Sequence, residues 1–171
     1  MLTQNLSKVE LSLCLLALVF TFSCSSAKDS TKFAAKAAEG GMTEVALGKL
    51  ALERAANPSV KEFGQRMVVD HTAAGNELKA IAAKKNLQLP TDLGADQKST
   101  VDKLSKLSGA EFDKEYMSDM VKDHEGVVEE FQTQAEKGND PEIKSFAAKT
   151  LPTIQSHLQM ARDVSKKVGA N

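Results

Sequence analysis

Asn57-Pro58-Ser59-Val60-Lys61-Glu62-Phe63 is echoed by Asp140-Pro141-Glu142-Ile143-Lys144-Ser145-Phe146, with Pro, a β-branched residue, Lys and Phe at the same offsets. Asn and Asp are good N-cap residues, and Pro at the first helical position lacks an N–H that a helix start leaves unpaired in any case. Each stretch therefore closes one helix and opens another, and the echo reads as two helical hairpins related by duplication. Ser108-Gly109-Ala110-Glu111 has the form of a capping box and starts a further helix. The resulting expectation is an all-α domain over residues 31–168, with long helices at about 31–56, 58–85, 109–137 and 140–168.

The connection from Asn86 to Ser108 contains Leu89-Pro90 and then Val101, Leu104 and Leu107 on one side of a weakly amphipathic stretch. A short helix within a long connection suits it better than a bare loop. The preceding helix is roughly 40 Å long at 1.5 Å per residue, a distance this linker can cover. It can thus cross the bundle and set the second and third long helices parallel, as in ferritin-like four-helix bundles. A plain up-down-up-down bundle is the alternative.

Composition agrees with helices. Among 171 residues there is no Trp, one Tyr and seven Phe, too few aromatics for a sandwich or barrel. Twenty-two Lys and Arg against 23 Asp and Glu leave a charge of −1, which argues against nucleic acid as a partner because a basic face is needed to displace phosphate counterions.

Leu11 to Phe22 is almost unbroken apolar sequence, followed by Ser23-Cys24-Ser25-Ser26-Ala27. It falls short of the roughly 20 residues that span a bilayer and matches a secretory signal peptide with a small-residue exit. Residues 1–27 are therefore read as signal and short tether. Cleavage before Lys28 is one route. The other, preferred here, treats Phe22-Ser23-Cys24 as a lipobox, with Cys24 acylated and the protein held in the outer membrane by its lipid; Thr21, where such signals usually carry Leu, is a departure. Cys14 leaves with the signal on either route, so the folded domain has no thiol for disulfide, redox or nucleophilic chemistry.

All three histidines fall in phase with apolar stripes. His71 continues Val60, Phe63, Met67, Ala74, Leu78 and Ile81; His124 lies four after Met120; His157 lies three after Ile154. On the first helix the stripe Phe33, Ala37, Leu47, Ala51 and Ala55 includes Glu44. All four polar residues lie within about one turn of their helix midpoints, and are read as candidate metal ligands. Asp70, Asp123, Met67, Met120 and Met160 are candidate auxiliaries. Imidazole with thioether suits copper, and imidazole with carboxylate suits zinc, iron or manganese. Binding through these imidazoles is expected to weaken as pH falls through the histidine range near 6.5. The competing expectation is structural: methionines filling core gaps, and histidines in a hydrogen-bonded network with Glu44, Asp70 or Asp123.

A di-iron carboxylate centre fits poorly, because Val68 and Ile154 stand where Glu would precede His71 and His157 by three. No Ser–His–Asp, P-loop or dinucleotide signature is present, so no catalytic residue is assigned.

Phe33 through Val45, Met67 to His71, Leu89-Pro90, Ser108 to Asp113, His124, and Leu151-Pro152 through His157-Leu158 together resemble the bacterial family called predicted outer membrane proteins, domain of unknown function 4142. The resemblance implies a secreted or envelope-anchored ferritin-like bundle with Glu44, His71, His124 and His157 at its polar inner positions. It implies no settled activity. The functions in competition are metal binding or buffering in the cell envelope, a non-catalytic envelope or stress-associated interaction module with structural histidines, and a hydrolytic or redox enzyme, which would need a pocket reaching the cluster.

Overall fold

The computed structural model of the protein describes residues 23–170, with side chains from residue 29 onward. The apolar run 11–22 and the Cys24 side chain, on which the signal-peptide and lipidation expectations rest, fall outside what is described. Five helices follow in order: α1 Ser23–Arg54, α2 Pro58–Lys85, α3 Ala95–Ser105, α4 Gly109–Lys137 and α5 Pro141–Val168. No described helix is long and apolar enough to cross a membrane.

The two proline starts form as their chemistry requires. The Asn57 side chain accepts from Ser59 N–H, and Asp140 accepts from Glu142 and Ile143 N–H. The capping box at Ser108 does not form. Ser108 occupies the N-cap position without a side-chain bond, because Gly109 turns the chain at φ +64 and sets it against Ala55. The first helix already runs at Ser23, the first described residue, rather than starting near 31; no Gly or Pro intervenes between the two positions to stop it.

The linker crosses the bundle. Asp113, at the start of the second turn of α4 and 3% exposed, accepts from the backbone N–H of Ala56 at 3.1 Å and Asn57 at 2.9 Å, just ahead of α2. α2 and α4 therefore start at the same end and run parallel. At the opposite end Phe33 meets Phe131 with ring centroids 4.9 Å apart, and Lys85 pairs with Asp140 at 2.7 Å. α3 lies along α1 within the crossover: Leu104 is fully buried, and Gly94 N–H donates to Glu39 at 2.7 Å.

α1 and α2 approach closely at Gly48 and Gly64. A Cβ at Gly48 would lie 2.6 Å from the Gly64 carbonyl oxygen, and one at Gly64 would lie 2.6 Å from the Ala51 Cβ. Gly126 of α4 has open space where its Cβ would be. These environments give two Gly→Ala substitutions opposite signs. Gly48→Ala should destabilise, since an overpacking penalty of about 1–3 kcal/mol exceeds a helix-propensity gain of about 1 kcal/mol. Gly126→Ala should stabilise by up to about 1 kcal/mol. Asp113→Ala should cost roughly 1–3 kcal/mol by leaving two backbone donors without their acceptor. Urea unfolding of the three variants checks all of this, and a stabilising Gly48→Ala would contradict the close approach.

Candidate metal centre

The apolar core is in two pieces. One, near the α1–α2 turn, holds Leu47 and Ala51 of α1, Phe63 and Met67 of α2, Met120 of α4 and Ala161 of α5. The other, near the α4–α5 turn, holds Phe33, Leu78, Phe131 and Ile154 from the same four helices. On every long helix the gap between the pieces is filled by the polar residue of the inward stripe: Glu44 on α1, His71 on α2, His124 on α4 and His157 on α5. The four converge in one polar layer between two apolar ones.

The imidazoles form a triangle, with ring centroids 6.1 Å apart for His71 and His124, 5.4 Å for His71 and His157, and 5.7 Å for His124 and His157. Each offers a ligand nitrogen within 4.8 Å of the other two. His124 Nδ1 lies 2.9 Å from the Met120 carbonyl oxygen, which can only accept, so this nitrogen carries the proton. His157 Nε2 lies 2.8 Å from Asp70 Oδ2 and donates to it. Asp70 is held below its usual carboxylate range despite some desolvation, by its bonds to His157 and to Arg66 at 2.5 Å. The opposite nitrogens, His124 Nε2 and His157 Nδ1, are left with lone pairs. Both are buried without a hydrogen-bond partner among the described residues, as is His71 Nε2.

Burial dominates the electrostatics. It lowers His71 to about 3, helped by the charges of His157 and His124, and lowers His124 to about 4 against the pull of Asp123. His157 is lowered by burial although Asp70 opposes the shift. Protons thus compete for the His71 and His124 nitrogens in the folded state well below the range near 6.5 expected from free histidine, and the His157 shift has the same direction. Glu44, 5% exposed, moves the other way: burial raises it well above its ordinary value, and the charge and hydrogen bond of Asp123 add to the rise. Its Oε2 has no partner among the described residues. Glu44, Asp123 and His124 form a second group whose ligand atoms lie within 4.8 Å of one another.

Among the auxiliaries, Asp70 orients His157 from outside the triangle and Asp123 joins Glu44. Met67 and Met120 are buried in the adjoining apolar core and Met160 packs at its edge. Sequence reasoning passed over Tyr116, although it precedes Met120 by four and His124 by eight and so shares their face. It is fully buried against Phe112 and Phe63, its hydroxyl has no partner among the described residues, and burial with the Glu44 charge pushes its pKa well up. A cavity of about 140 Å³, lined by Glu44, His71, Asp123 and His124 and by Gly40, Gly41 and Gly75, reaches the layer from the side.

The sequence pattern described as Domain of unknown function (DUF4142) matches residues 21–164. The chain belongs to this family. Two solved structures share the DUF4142 chain's fold. A "putative secreted protein DUF305" from Streptomyces coelicolor superposes with a TM-score of 0.71 at 15% identity, covering 84% of this chain and 94% of that one. A DUF305 fragment from Deinococcus radiodurans gives 0.72 at 14% identity, over 81% and 96%. At such identities the likeness speaks for the fold alone. No curated protein matches the chain.

The polar layer makes stability depend on pH with a definite sign. Between its lowered folded value and about 6.5, each histidine binds fewer protons in the folded than in the unfolded protein. That contribution is complete above about 6.5 and is lost as pH falls, through about 4 for His124 and about 3 for His71. Glu44 opposes this, contributing fully below about 4.5 and losing its contribution as pH rises through its folded value. Three groups outweigh one. Metal-stripped protein should lose stability from about pH 7 to about pH 5, by up to about 1.4 kcal/mol per pH unit for each histidine. Glu44→Gln should steepen the loss and His71→Asn should shallow it. Urea unfolding across that range measures the slope, and a flat profile would contradict the buried, neutral imidazoles.

Proposed function

We propose that the protein is a cell-envelope bundle of ferritin-like connectivity that binds or buffers a transition metal ion through His71, His124 and His157. One observation carries the reading. His124 and His157 each commit one ring N–H to an outer acceptor, the Met120 carbonyl and the Asp70 carboxylate, and turn the other nitrogen inward without a partner. Metal-ligating histidines are held in this way, with the outer bond fixing tautomer and ring orientation. In a network built only for structure, the inward lone pairs of His124 Nε2 and His157 Nδ1 would have only His71 Nε2 as a possible donor, which can serve one of them at most and leaves the other unpaired at a cost of about 1–3 kcal/mol. A cation satisfies all three at once.

Three neutral imidazoles suit zinc or copper, and Glu44 brings iron within the same donor chemistry. The cavity beside His71 and His124 leaves room for a small ligand, and the carboxyl and imidazole groups that line it match the donor set of a cation, so binding is the preferred reading. The envelope address is supported by the apolar run 11–22 with its small-residue exit, by Cys24 in a lipobox-like setting, and by the secreted name of the Streptomyces coelicolor relative. Outer-membrane anchoring through acylated Cys24 is the preferred form, and a soluble periplasmic form cut before Lys28 is the alternative.

Zinc or copper should raise the melting temperature of the metal-stripped protein, since an ion bound only to the folded state at a hundredfold over its Kd stabilises by about 2.7 kcal/mol. His71→Ala should remove most of the rise. Equal rises in wild type and in the His71→Ala, His124→Ala and His157→Ala variants would place the ion on surface carboxylates and contradict the reading. Intact-mass measurement of native protein tests the address: a mature N-terminus at Cys24 with added acyl mass is expected, one at Lys28 would establish the soluble form, and retained Met1 would contradict both.

A further inference from the structure

The two ligand groups share one residue, and the bonding of that residue limits how they can be used. His71, His124 and His157 form the inner group; Glu44, Asp123 and His124 form the outer one. His124 Nδ1 is committed to the Met120 carbonyl, so Nε2 with its single lone pair is the only nitrogen His124 can offer to either group. One lone pair cannot ligate two ions. Inner and outer positions are therefore alternatives for one ion, not a two-ion store.

The two positions are also arranged in depth. Asp123 is exposed, Glu44 is 5% exposed with Oε2 unpartnered among the described residues, and His124 is 1% exposed. A cleft of about 750 Å³ between α1, α3 and α4 is lined by Glu44, Asp96, Asp119, Asp123, Glu129 and Glu130, which outnumber the lysines beside them, Lys36, Lys103 and Lys122. The smaller cavity, which reaches His71 and His124, is lined by Glu44 and Asp123 as well. These two carboxylates therefore stand where the open cleft meets the closed cavity.

We propose that Glu44, Asp123 and His124 form an outer loading position for the ion, which then passes inward by exchanging carboxylate oxygens for the His71 and His157 nitrogens while His124 Nε2 stays bound. The chemistry is graded in the right order. A hydrated divalent cation gives up water readily to anionic oxygens at a wet cleft, whereas direct entry to three neutral imidazoles would strip its hydration with no charge to offset the loss. Adjacent positions on α4 make the handover local: Asp123 faces the cleft side and His124, about 100° further round the helix, faces the layer.

This inference rests on the metal-binding reading above, and the experiment separates their failures. Zinc is mixed with the metal-stripped full chain in a stopped-flow instrument, with a chromogenic chelator reporting free ion, and the equilibrium affinity is measured on the same samples. Asp123→Asn is the first variant because its site is exposed; Glu44→Gln is the second, as an uncharged isostere in a buried place. Asp119→Asn, which lines the cleft outside the group, reports the effect of the cleft's general field. Loading should slow by roughly tenfold in Asp123→Asn and Glu44→Gln, with the affinity within about threefold of wild type and with Asp119→Asn close to wild type. Wild-type protein that takes up no zinc would overturn the metal reading and this inference with it. Zinc uptake at the wild-type rate in both variants, or equal slowing in Asp119→Asn, would overturn the loading position alone. A large loss of affinity at an unchanged loading rate would also overturn it, by making the carboxylates permanent ligands.

Discussion

The register of the bundle hangs on the Asp113 carboxylate. It accepts from two backbone N–H groups at the turn between α1 and α2 from near the start of α4, and so fixes the height of one hairpin against the other. Without that register the three histidines would sit at unrelated levels, since His71 comes from one hairpin and His124 and His157 from the other. The close approach at Gly48 and Gly64 acts in the same sense within the first hairpin, setting Glu44 and His71 one turn and two turns beyond the contact. A polar layer at mid-height is the outcome of these two constraints together.

That layer is expensive in the absence of a ligand. Burial between the two apolar pieces lowers His71 and His124 to about 3 and about 4 and pushes Glu44 above its ordinary range, with Asp123 adding to the rise. The same burial leaves inward lone pairs without donors. A fold that wanted only stability would place Leu or Ile at these positions. A site tuned so that its imidazoles are already deprotonated, oriented from outside and lacking only a cation has a simpler account in binding.

Much of this was legible in sequence, because it depends on local chemistry. Asn57-Pro58 and Asp140-Pro141 cap their own helices, so those boundaries came out within a residue. The inward phase of Glu44 and the three histidines follows from periodicity alone. What sequence reading missed depends on partners far along the chain. The Ser108 capping box gave way to a left-handed Gly109 set against Ala55. The parallel course of α2 and α4 stayed open between two topologies until Asp113 was seen at the Asn57 turn. The pairing of Asp123 with Glu44 joins α4 to α1, and no spacing within either helix announces it. Tyr116 was in phase with Met120 and His124 and so had a usable signal, which the sequence reading passed over.

The proposed binding requires that particular nitrogens, not merely particular histidines, face a shared ion. Nitrogen-15 NMR of the histidine rings, recorded with and without one equivalent of diamagnetic zinc, tests it most directly. The expected result is that His124 Nε2 and His157 Nδ1 move from unprotonated to metal-bound shifts, while His124 Nδ1 and His157 Nε2 stay protonated throughout, on the Met120 carbonyl and on Asp70. Unchanged ring nitrogens on zinc addition, or binding through the same nitrogen type in both residues, would contradict the account.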